Sequence, residues 1–147
     1  MDDRLPITIL IKILANHIKR NLDAAASFGP LHNLTGTQIQ IIGYIYHSPK
    51  GDIFQKDVET KFSIRRSTAT GILQLMEKNG LITREPVDYD ARLKKIVLTK
   101  KALAVSRQAH LNLTDLEEQM TKGMTAEELA VFRSLIWKMK TNLEELA

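Results

Sequence analysis

The sequence predicts a mainly α-helical fold of the α+β class. Amphipathic helical patterns cover most of the 147 residues, and one central stretch has the pattern of a β-hairpin. Two short helices come directly before that hairpin, which is the order of a winged helix-turn-helix. We therefore assign residues 31–99 to a winged helix-turn-helix module. Residues 1–30 and 100–147 are assigned to long dimerisation helices, within one compact chain.

The amino-terminal segment from Leu5 to Ala26 has the pattern of a long helix. Its apolar residues recur at spacings of three and four: Ile7, Leu10, Ile11, Leu14, Ile18 and Leu22. Ile9 and Ile13 widen this stripe beyond what a helix with one buried side needs. Because so wide an apolar face requires cover, we expect a second copy of the chain to pack on it, which predicts a homodimer.

Two shorter helices begin the central module. Thr35 and Gln38 have the spacing of a capping box, which predicts a helix start. The predicted buried face of this helix consists of Ile39, Ile42, Ile45 and Tyr46. After a turn at residues 48–52, Phe54 to Phe62 is predicted as a short helix. Its predicted buried residues are Phe54, Val58 and Phe62, and its predicted outward residues are Gln55, Lys56 and Glu59.

The next helix is predicted from Ile64 to Lys78, and Asn79-Gly80 supplies its stop. Its apolar stripe is predicted as Ile64, Ile72, Leu75 and Met76, with Leu73 at the border. The opposite face carries hydrogen-bond donors: Arg65, Arg66, Ser67, Thr68, Thr70 and Gln74. A helix face that is merely solvated usually mixes charges of both signs. We therefore interpret this helix as one that meets base edges and phosphates, rather than as an ordinary surface helix.

The hairpin is predicted from two β-branched and apolar runs, Leu81–Arg84 and Lys95–Thr99. The predicted turn residues are Pro86, Asp88, Asp90 and Ala91. Four basic residues lie on the hairpin: Arg84, Arg92, Lys94 and Lys95. Asp88 and Asp90 also have the chemistry of a carboxylate pair for acid–base work, but their place on a turn favours a structural role. The basic residues predict a wing that contacts nucleic acid.

Two helices are predicted after the hairpin. The first runs from Lys100 to Lys122, with a stripe of Ala102, Leu103, Ser106, Ala109, Leu113, Leu116 and Met120. Thr125 and Glu128 have the spacing of a second capping box, which opens the last helix. Its apolar residues are Leu129, Phe132, Leu135, Ile136, Met139, Leu143 and Leu146, with Trp137 beside them. We expect these helices to bury their stripes against each other and in the dimer.

Positive charge is concentrated in the middle of the chain. The formal net charge of the whole chain is +4, yet residues 50–101 hold twelve Lys or Arg and seven Asp or Glu, a net charge of +5. The remainder holds nine basic and ten acidic residues, a net charge of −1. A localised basic surface predicts double-stranded DNA as the partner, with an acidic protein as the alternative.

Several function classes lack the residues that they need. The chain has no cysteine, which excludes disulfides, thiolate metal sites and a thiol nucleophile. It has no phosphate-cradling glycine loop and no nucleophile elbow, so we expect neither enzyme activity nor a cofactor. The histidines share no close ligand spacing, so we predict no metal site, with a metal-responsive regulator as the alternative. These are His17, His32, His47 and His110.

The amino terminus and the apolar runs predict the compartment. The longest apolar run, Ile7 to Leu14, is interrupted by Thr8 and Lys12, so we expect no membrane span. The chain begins with Met-Asp-Asp-Arg, which is unlike a secretory signal. Together with the absence of cysteine, these features predict a cytoplasmic protein.

Several motifs, in this order and spacing, resemble those of the MarR family of bacterial transcriptional regulators. They are Arg66-Ser67-Thr68-Ala69-Thr70, Met76-Glu77-Lys78-Asn79-Gly80-Leu81-Ile82, Asp90-Ala91-Arg92 and Leu98-Thr99. Each motif is weak alone, but the resemblance extends over essentially the whole chain. It implies a homodimeric winged-helix repressor on a near-palindromic operator, relieved by a small, often aromatic ligand. The alternative is a winged-helix module that binds proteins without DNA.

The resemblance also implies residue roles. The helix with Arg66 enters the major groove, while Arg92 on the wing reaches the minor groove with Asp90 as its buttress. The complete set of candidate DNA-binding residues is Arg65, Arg66, Ser67, Thr68, Thr70, Gln74, Arg84, Asp90, Arg92 and Lys94. An effector is expected between the dimer helices and the winged module, with His17, Phe28, Tyr46 and His47 as candidate contacts.

Three residues depart from the family pattern. Arg65 stands where a capping Ser or Thr is frequent, so the helix start must be capped otherwise. Gly71 stands where a larger, often basic residue is common, which removes one contact. Ala102 replaces a frequent Gly after the Leu-Thr pair and is expected only to extend the following helix.

Overall fold

The computed structural model describes residues 4–146, which form six α-helices, one short 3-10 helix and one two-stranded antiparallel sheet. The helices are α1 (Ile7–Ala25), the 3-10 helix (Gly29–Leu31), α2 (Gly36–His47), α3 (Gln55–Phe62), α4 (Arg66–Lys78), α5 (Lys100–Met120) and α6 (Ala126–Glu144). The strands are β1 (Ile82–Val87) and β2 (Asp90–Leu98). The predicted mainly α-helical winged helix-turn-helix is confirmed.

The described part of the chain forms two compact units, which divide between Leu113 and Thr114. The core of the first unit is built by side chains of the winged module and the start of α5: Leu31, Ile41, Ile42, Ile53, Val58, Leu73, Met76, Leu81, Ile82, Ile96, Ala102 and Val105. This core fixes α3, α4 and the hairpin relative to one another. In the second unit, Nη2 of Arg133 on α6 lies 3.2 Å from Oε1 of Glu117.

The predicted capping boxes are both confirmed. Thr35 Oγ1 accepts a hydrogen bond from the Gln38 backbone N–H at 3.1 Å, and Gln38 Oε1 accepts one from the Thr35 N–H at 3.0 Å. Thr125 and Glu128 form the same pair of bonds at the start of α6, at 3.1 and 2.8 Å. Each pair satisfies two backbone donors that the first helical turn leaves without a partner.

The predicted buried faces need correction in three helices. On α4, Leu73 lies at the centre of the buried face with Ala69 and Met76, whereas Leu75 is 49% exposed. On α2, Ile41 is fully buried, while Tyr46 is 51% exposed. Neighbouring residues on a helix are rotated by about 100°, so several stripes fit one sequence, and packing on the other elements selects among them.

On α5, Val105 and Ser106 are buried with Ala102, whereas two residues of the predicted stripe, Leu113 and Met120, are exposed. The helix ends at Met120, two residues before the predicted end.

The strands of the wing are longer than predicted. The turn between them consists of Asp88 and Tyr89, so three of the predicted turn residues, Pro86, Asp90 and Ala91, belong to the strands instead. Pro86 faces Lys94, and the register shifts between Pro86 and Val87. Proline is tolerated in an edge strand because its missing N–H is needed only where another strand pairs with it.

The outer helices leave their apolar faces uncovered. No side chain of α1 is buried within the part of the chain that the structure describes. Its large exposed apolar residues are Ile7, Ile9, Leu10, Ile11, Ile13 and Leu14. On α6 they are Val131, Phe132, Leu135, Ile136, Trp137 and Leu143. Apolar surface of this extent on one chain usually marks an interaction site. Among residues 4–146 no helix is long and apolar enough to cross a membrane.

Candidate nucleic-acid interface

The amino terminus of α4 is open towards solvent. Ser63 has a left-handed backbone with φ 51°, which turns the chain sharply from α3 into α4. Arg65 occupies the N-cap position, and its side chain makes no capping hydrogen bond. The first backbone N–H groups of a helix have no partner within it, so this end offers donors and a partial positive charge to an anion.

Three predicted DNA-binding side chains surround this helix end. Arg66, Ser67 and Thr68 form the first turn of α4 and are exposed. Gln74, two turns later, is also exposed. Gly71 lies between them, and a Cβ atom at this position would meet no atom within 4 Å. The outward side of α4 is therefore free of protein contacts at Gly71.

Thr70 lies at the border between α4 and α3 rather than on the outward face. Its hydroxyl donates to the carbonyl oxygen of Arg66 at 2.8 Å and accepts a hydrogen bond from Gln55 Nε2 at 2.9 Å. Thr70 is half-buried. Its hydroxyl is therefore engaged within the protein, and its predicted role in reading DNA stays a prediction.

Gln55, predicted only as an outward residue, connects three elements of the interface. Besides its bond to Thr70, its Oε1 lies 3.4 and 3.5 Å from the two terminal nitrogens of Arg84 on β1. Arg84 Nε lies 4.0 Å from Glu77 Oε2 on α4. Arg84 is half-buried by these neighbours. The Arg84 guanidinium is thus held between α4 and the start of α3.

The wing presents Arg92 next to Asp90. The Asp90 carboxylate accepts hydrogen bonds from Nε and Nη2 of Arg92, both at 3.2 Å, and from its backbone N–H at 3.0 Å. These bonds lower the pKa of Asp90 below its usual range. The side chain of Arg92 is 90% exposed. Asp90 therefore stays charged at neutral pH and orients an arginine that projects into solvent.

These elements enclose a groove with a volume of about 450 Å³. We call it the basic groove, and it is lined by Phe54, Gln55, Lys56, Glu59, Arg66, Thr70, Arg84, Arg92, Leu93 and Lys94. Five of these ten residues are basic and one is acidic. Of the predicted DNA-binding residues, the groove brings together Arg66, Thr70, Arg84, Arg92 and Lys94.

Sequence reasoning missed Gln55 and Lys56 as parts of the basic groove. Both belong to the first turn of α3, which begins at Gln55. The two helices of a helix-turn-helix lie close together because a short turn joins them, but this does not single out Gln55 and Lys56. That the side chain of Gln55 turns towards Thr70 and Arg84 depends on tertiary packing.

A second concave surface lies between α2 and α5. It has a volume of about 350 Å³ and is lined by Tyr46, His47, Ser106, Arg107, His110 and Leu111. The rings of Tyr46 and His47 meet edge to face with centroids 4.9 Å apart. The lining holds one arginine and two histidines but no carboxylate. Of the four predicted ligand contacts, this surface brings together Tyr46 and His47, whereas His17 and Phe28 are not among its lining residues.

The histidines do not gather into a metal site in the described part of the chain. Within residues 4–146 no group of three or more His, Asp or Glu side chains has the arrangement needed to hold a metal ion.

Comparison with known proteins identifies relatives along most of the sequence. A model of the MarR family matches residues 32–93. The homoprotocatechuate degradative operon repressor of Escherichia coli is 32% identical over 116 residues, which cover 77% of each chain. The repressor of the same name from Shigella flexneri matches equally well.

Solved structures of MarR-type regulators also match this chain. The transcription regulator MarR from Oenococcus oeni PSU-1 is 33% identical, with a TM-score of 0.64, and the match covers 92% of this chain and 99% of that one. A mutant of MepR from S. aureus has a TM-score of 0.79 at 20% identity, covering 95% and 99% of the two chains, which supports the fold alone.

Proposed function

This chain belongs to the MarR family of transcriptional regulators, and from that premise we propose that it is a homodimeric repressor of a near-palindromic operator. One winged module would bind each half of the operator. The helix α4 enters the major groove, and the wing follows the adjacent minor groove. We place the protein in the cytoplasm, where such an operator is found.

The observation that carries the proposal is the basic groove. An open helix end, the side chain of Arg66 and the wing residue Arg92 all supply donors to one concave surface. Phosphate contacts from such donors fix the position of a protein on DNA, and contacts to base edges then give specificity. A winged helix that binds only proteins has no need for this concentration of cations beside an uncapped helix.

The proposed dimer rests on the apolar faces of α1 and α6. Exposed isoleucine and leucine side chains along α1 need a partner surface, and a second copy presents the same one. Two linked recognition helices then meet half-sites about one helical turn, roughly 34 Å, apart. This arrangement explains why a palindromic operator suits the protein.

The proposed function is tested by selecting bound sequences from random duplex DNA with the full-length protein. We expect an enriched near-palindrome, bound by two copies of the chain. The affinity should fall steeply with salt, since each neutralised phosphate releases counterions. Selection of no sequence, together with binding that does not depend on salt, would favour the protein-interaction alternative.

We further propose a small effector that binds between α2 and α5. Arg107, His47 and His110 favour an anion there, and Tyr46 with Leu111 offers apolar walls to a flat ring. The effector class that fits best is therefore an aromatic carboxylate. It releases the operator only if it binds the DNA-incompetent state more tightly than the competent one.

The effector is tested by titrating simple aromatic carboxylates into the protein–operator complex. We expect one class of compound to release the DNA from the unchanged protein but not from Arg107→Ala, which should bind the operator normally. Release that is unaffected in Arg107→Ala would place the ligand elsewhere.

A further inference from the structure

Asp52, in the loop before α3, contacts the wing with both of its carboxylate oxygens. Oδ2 accepts a hydrogen bond from the hydroxyl of Tyr89 at 3.1 Å, and Oδ1 lies 3.6 Å from Nζ of Lys95. Tyr89 is in the turn of the wing, and Lys95 is in β2. A single carboxylate therefore joins the loop to two separate points on the wing.

The part of the wing near Ile96, far from the turn, is anchored by the backbone and by buried side chains. The backbone N–H of Ile96 donates to the carbonyl oxygen of Ile53 at 2.7 Å, and both side chains are buried. Between Val87 and Ile96, a range that the structure describes in full, no side chain of the wing is buried. Val87 itself is buried, so the wing loses its apolar packing only beyond Val87, and there Tyr89, 66% exposed, reaches Asp52 from the turn.

We propose that Asp52 is a positioning residue for DNA binding, which holds the turn of the wing through Tyr89 and so places Arg92 against the DNA. This inference rests on the proposed function. A segment with few buried contacts moves easily unless polar contacts hold it, and binding must then order it at a cost in affinity. Loss of the Asp52–Tyr89 hydrogen bond should therefore weaken DNA binding although neither residue is assigned a DNA contact.

The sign of the effect separates positioning from charge. Asp52 is an anion near a surface that binds phosphates, so the removal of its charge alone should strengthen DNA binding. Positioning predicts the opposite result. Asp88 is an exposed carboxylate in the same turn as Tyr89, and Asp88→Ala therefore measures the effect of charge by itself.

The experiment compares the operator affinities of four full-length variants with that of the unchanged protein, using the selected operator. We expect Asp52→Ala and Tyr89→Phe to weaken binding by about three- to tenfold, the range of a hydrogen bond to a partly exposed charged group. Asp88→Ala should bind as tightly or more tightly. Tyr44→Phe, which removes a hydroxyl from α2, should bind normally. Melting temperatures report whether each variant is folded. If Asp52→Ala is unstable, the operator affinity of Tyr89→Phe alone tests the inference.

A second background shows whether Tyr89 acts through Arg92. In Arg92→Ala, the further change Tyr89→Phe should alter the affinity by less than about twofold, because coupled residues do not add. Equal effects in both backgrounds, or normal binding by Tyr89→Phe alone, would overturn the inference. If Arg92→Ala weakens binding while Tyr89→Phe does not, only this inference fails. If the unchanged protein selects no operator, the proposed function fails with it.

Discussion

Asp90 and Arg92 are separated by a single residue of β2, and the Asp90 carboxylate accepts three hydrogen bonds from Arg92, at 3.0 to 3.2 Å. Residues two apart on a strand lie on the same side, which permits this contact. Guanidinium has five N–H donors, so donors remain after Asp90 is satisfied. In the DNA contact that we propose for Arg92, this orientation lowers the entropy lost on binding.

We expect Arg92→Ala to weaken binding to all DNA sequences, with little change in the preferred one. An arginine in the minor groove reads mainly groove width and charge. The slope of log affinity against log salt should fall by about one unit for one lost phosphate-like contact. Arg92→Lys is the matched control, because it keeps the charge and should keep the slope. Unchanged affinity of Arg92→Ala at low salt would show that the wing does not reach DNA.

Gly71→Ala should stabilise the fold. The Cβ atom would enter open space on α4, and alanine is favoured over glycine inside a helix by about 0.5–1 kcal/mol. The free energy of unfolding, measured with denaturant, should rise by that amount. Gly80→Ala is the contrasting variant, since φ of +73° is unfavourable for a residue with a side chain, and it should destabilise. Equal effects of the two variants would contradict this reasoning.

Ile11→Asp should prevent the chain from dimerising. Ile11 lies on the exposed apolar face of α1, and a charge buried without a partner in an interface opposes association. Light scattering at micromolar concentration should report a monomer, and operator binding should fall with it. Lys12→Gln is the matched control, because it changes the charge of α1 by the same amount at an exposed position that is already polar. A folded monomer formed by the unchanged protein would remove the basis of the dimer.

The helix caps and the end of α4 were predictable because they depend on residues close in sequence. The boxes at Thr35 and Thr125 need only the residue three positions later, and Gly80 ends α4 as Asn79-Gly80 predicted. The buried faces of the helices were harder to predict. An apolar stripe shifted by one or two residues fits the same sequence almost equally well. Leu73 rather than Leu75 faces the core since β1 and α3 pack on that side of α4.

The long-range contacts of the basic groove and of the wing could not be predicted from local patterns. Gln55 meets Thr70 and Arg84 over 15 and 29 residues, and Asp52 meets Tyr89 over 37. Periodicity describes which face a residue occupies but carries no information on its partner in another element. The donor face of the helix indicated Arg66, the basic hairpin indicated Arg92, and the resemblance to the family gave both their roles, whereas Gln55 and Asp52 required the structure.

Asp57→Asn should remove a pH-dependent part of the stability. Asp57 accepts a hydrogen bond from the Phe54 N–H at 2.8 Å and pairs with Lys50. Burial raises the pKa of Asp57, but the hydrogen bonds from Lys50 and Phe54 outweigh it and hold the pKa below its usual range. A lowered folded pKa means that the charged form stabilises the fold above the unfolded value, and that this contribution is lost as the pH falls through the folded value.

At about pH 6, Asp57→Asn should therefore unfold with about 0.3–1 kcal/mol less free energy than the unchanged protein, the usual value of an acid in the first helical turn. The difference should shrink as the pH falls below about 3.9, because the unfolded carboxylate takes up its proton before the folded one does. Denaturant unfolding across this range gives the comparison, with Asp88→Asn as the exposed control. A difference that stays constant with pH would exclude the ionised carboxylate as its source.

Gln55→Ala and Thr70→Ala should each weaken operator binding and should share most of their effect. The Gln55 amide donates to the Thr70 hydroxyl at 2.9 Å and accepts from Arg84, so either change frees the same set of side chains in the basic groove. Each single change is expected to cost about 1 kcal/mol, a typical value for one hydrogen bond, and the double variant should cost little more than one of them. Operator affinities measured for all four proteins give the coupling directly, with melting temperatures as the check on folding. If Thr70 instead reads a base by itself, its replacement should change the preferred half-site, and the two costs should add.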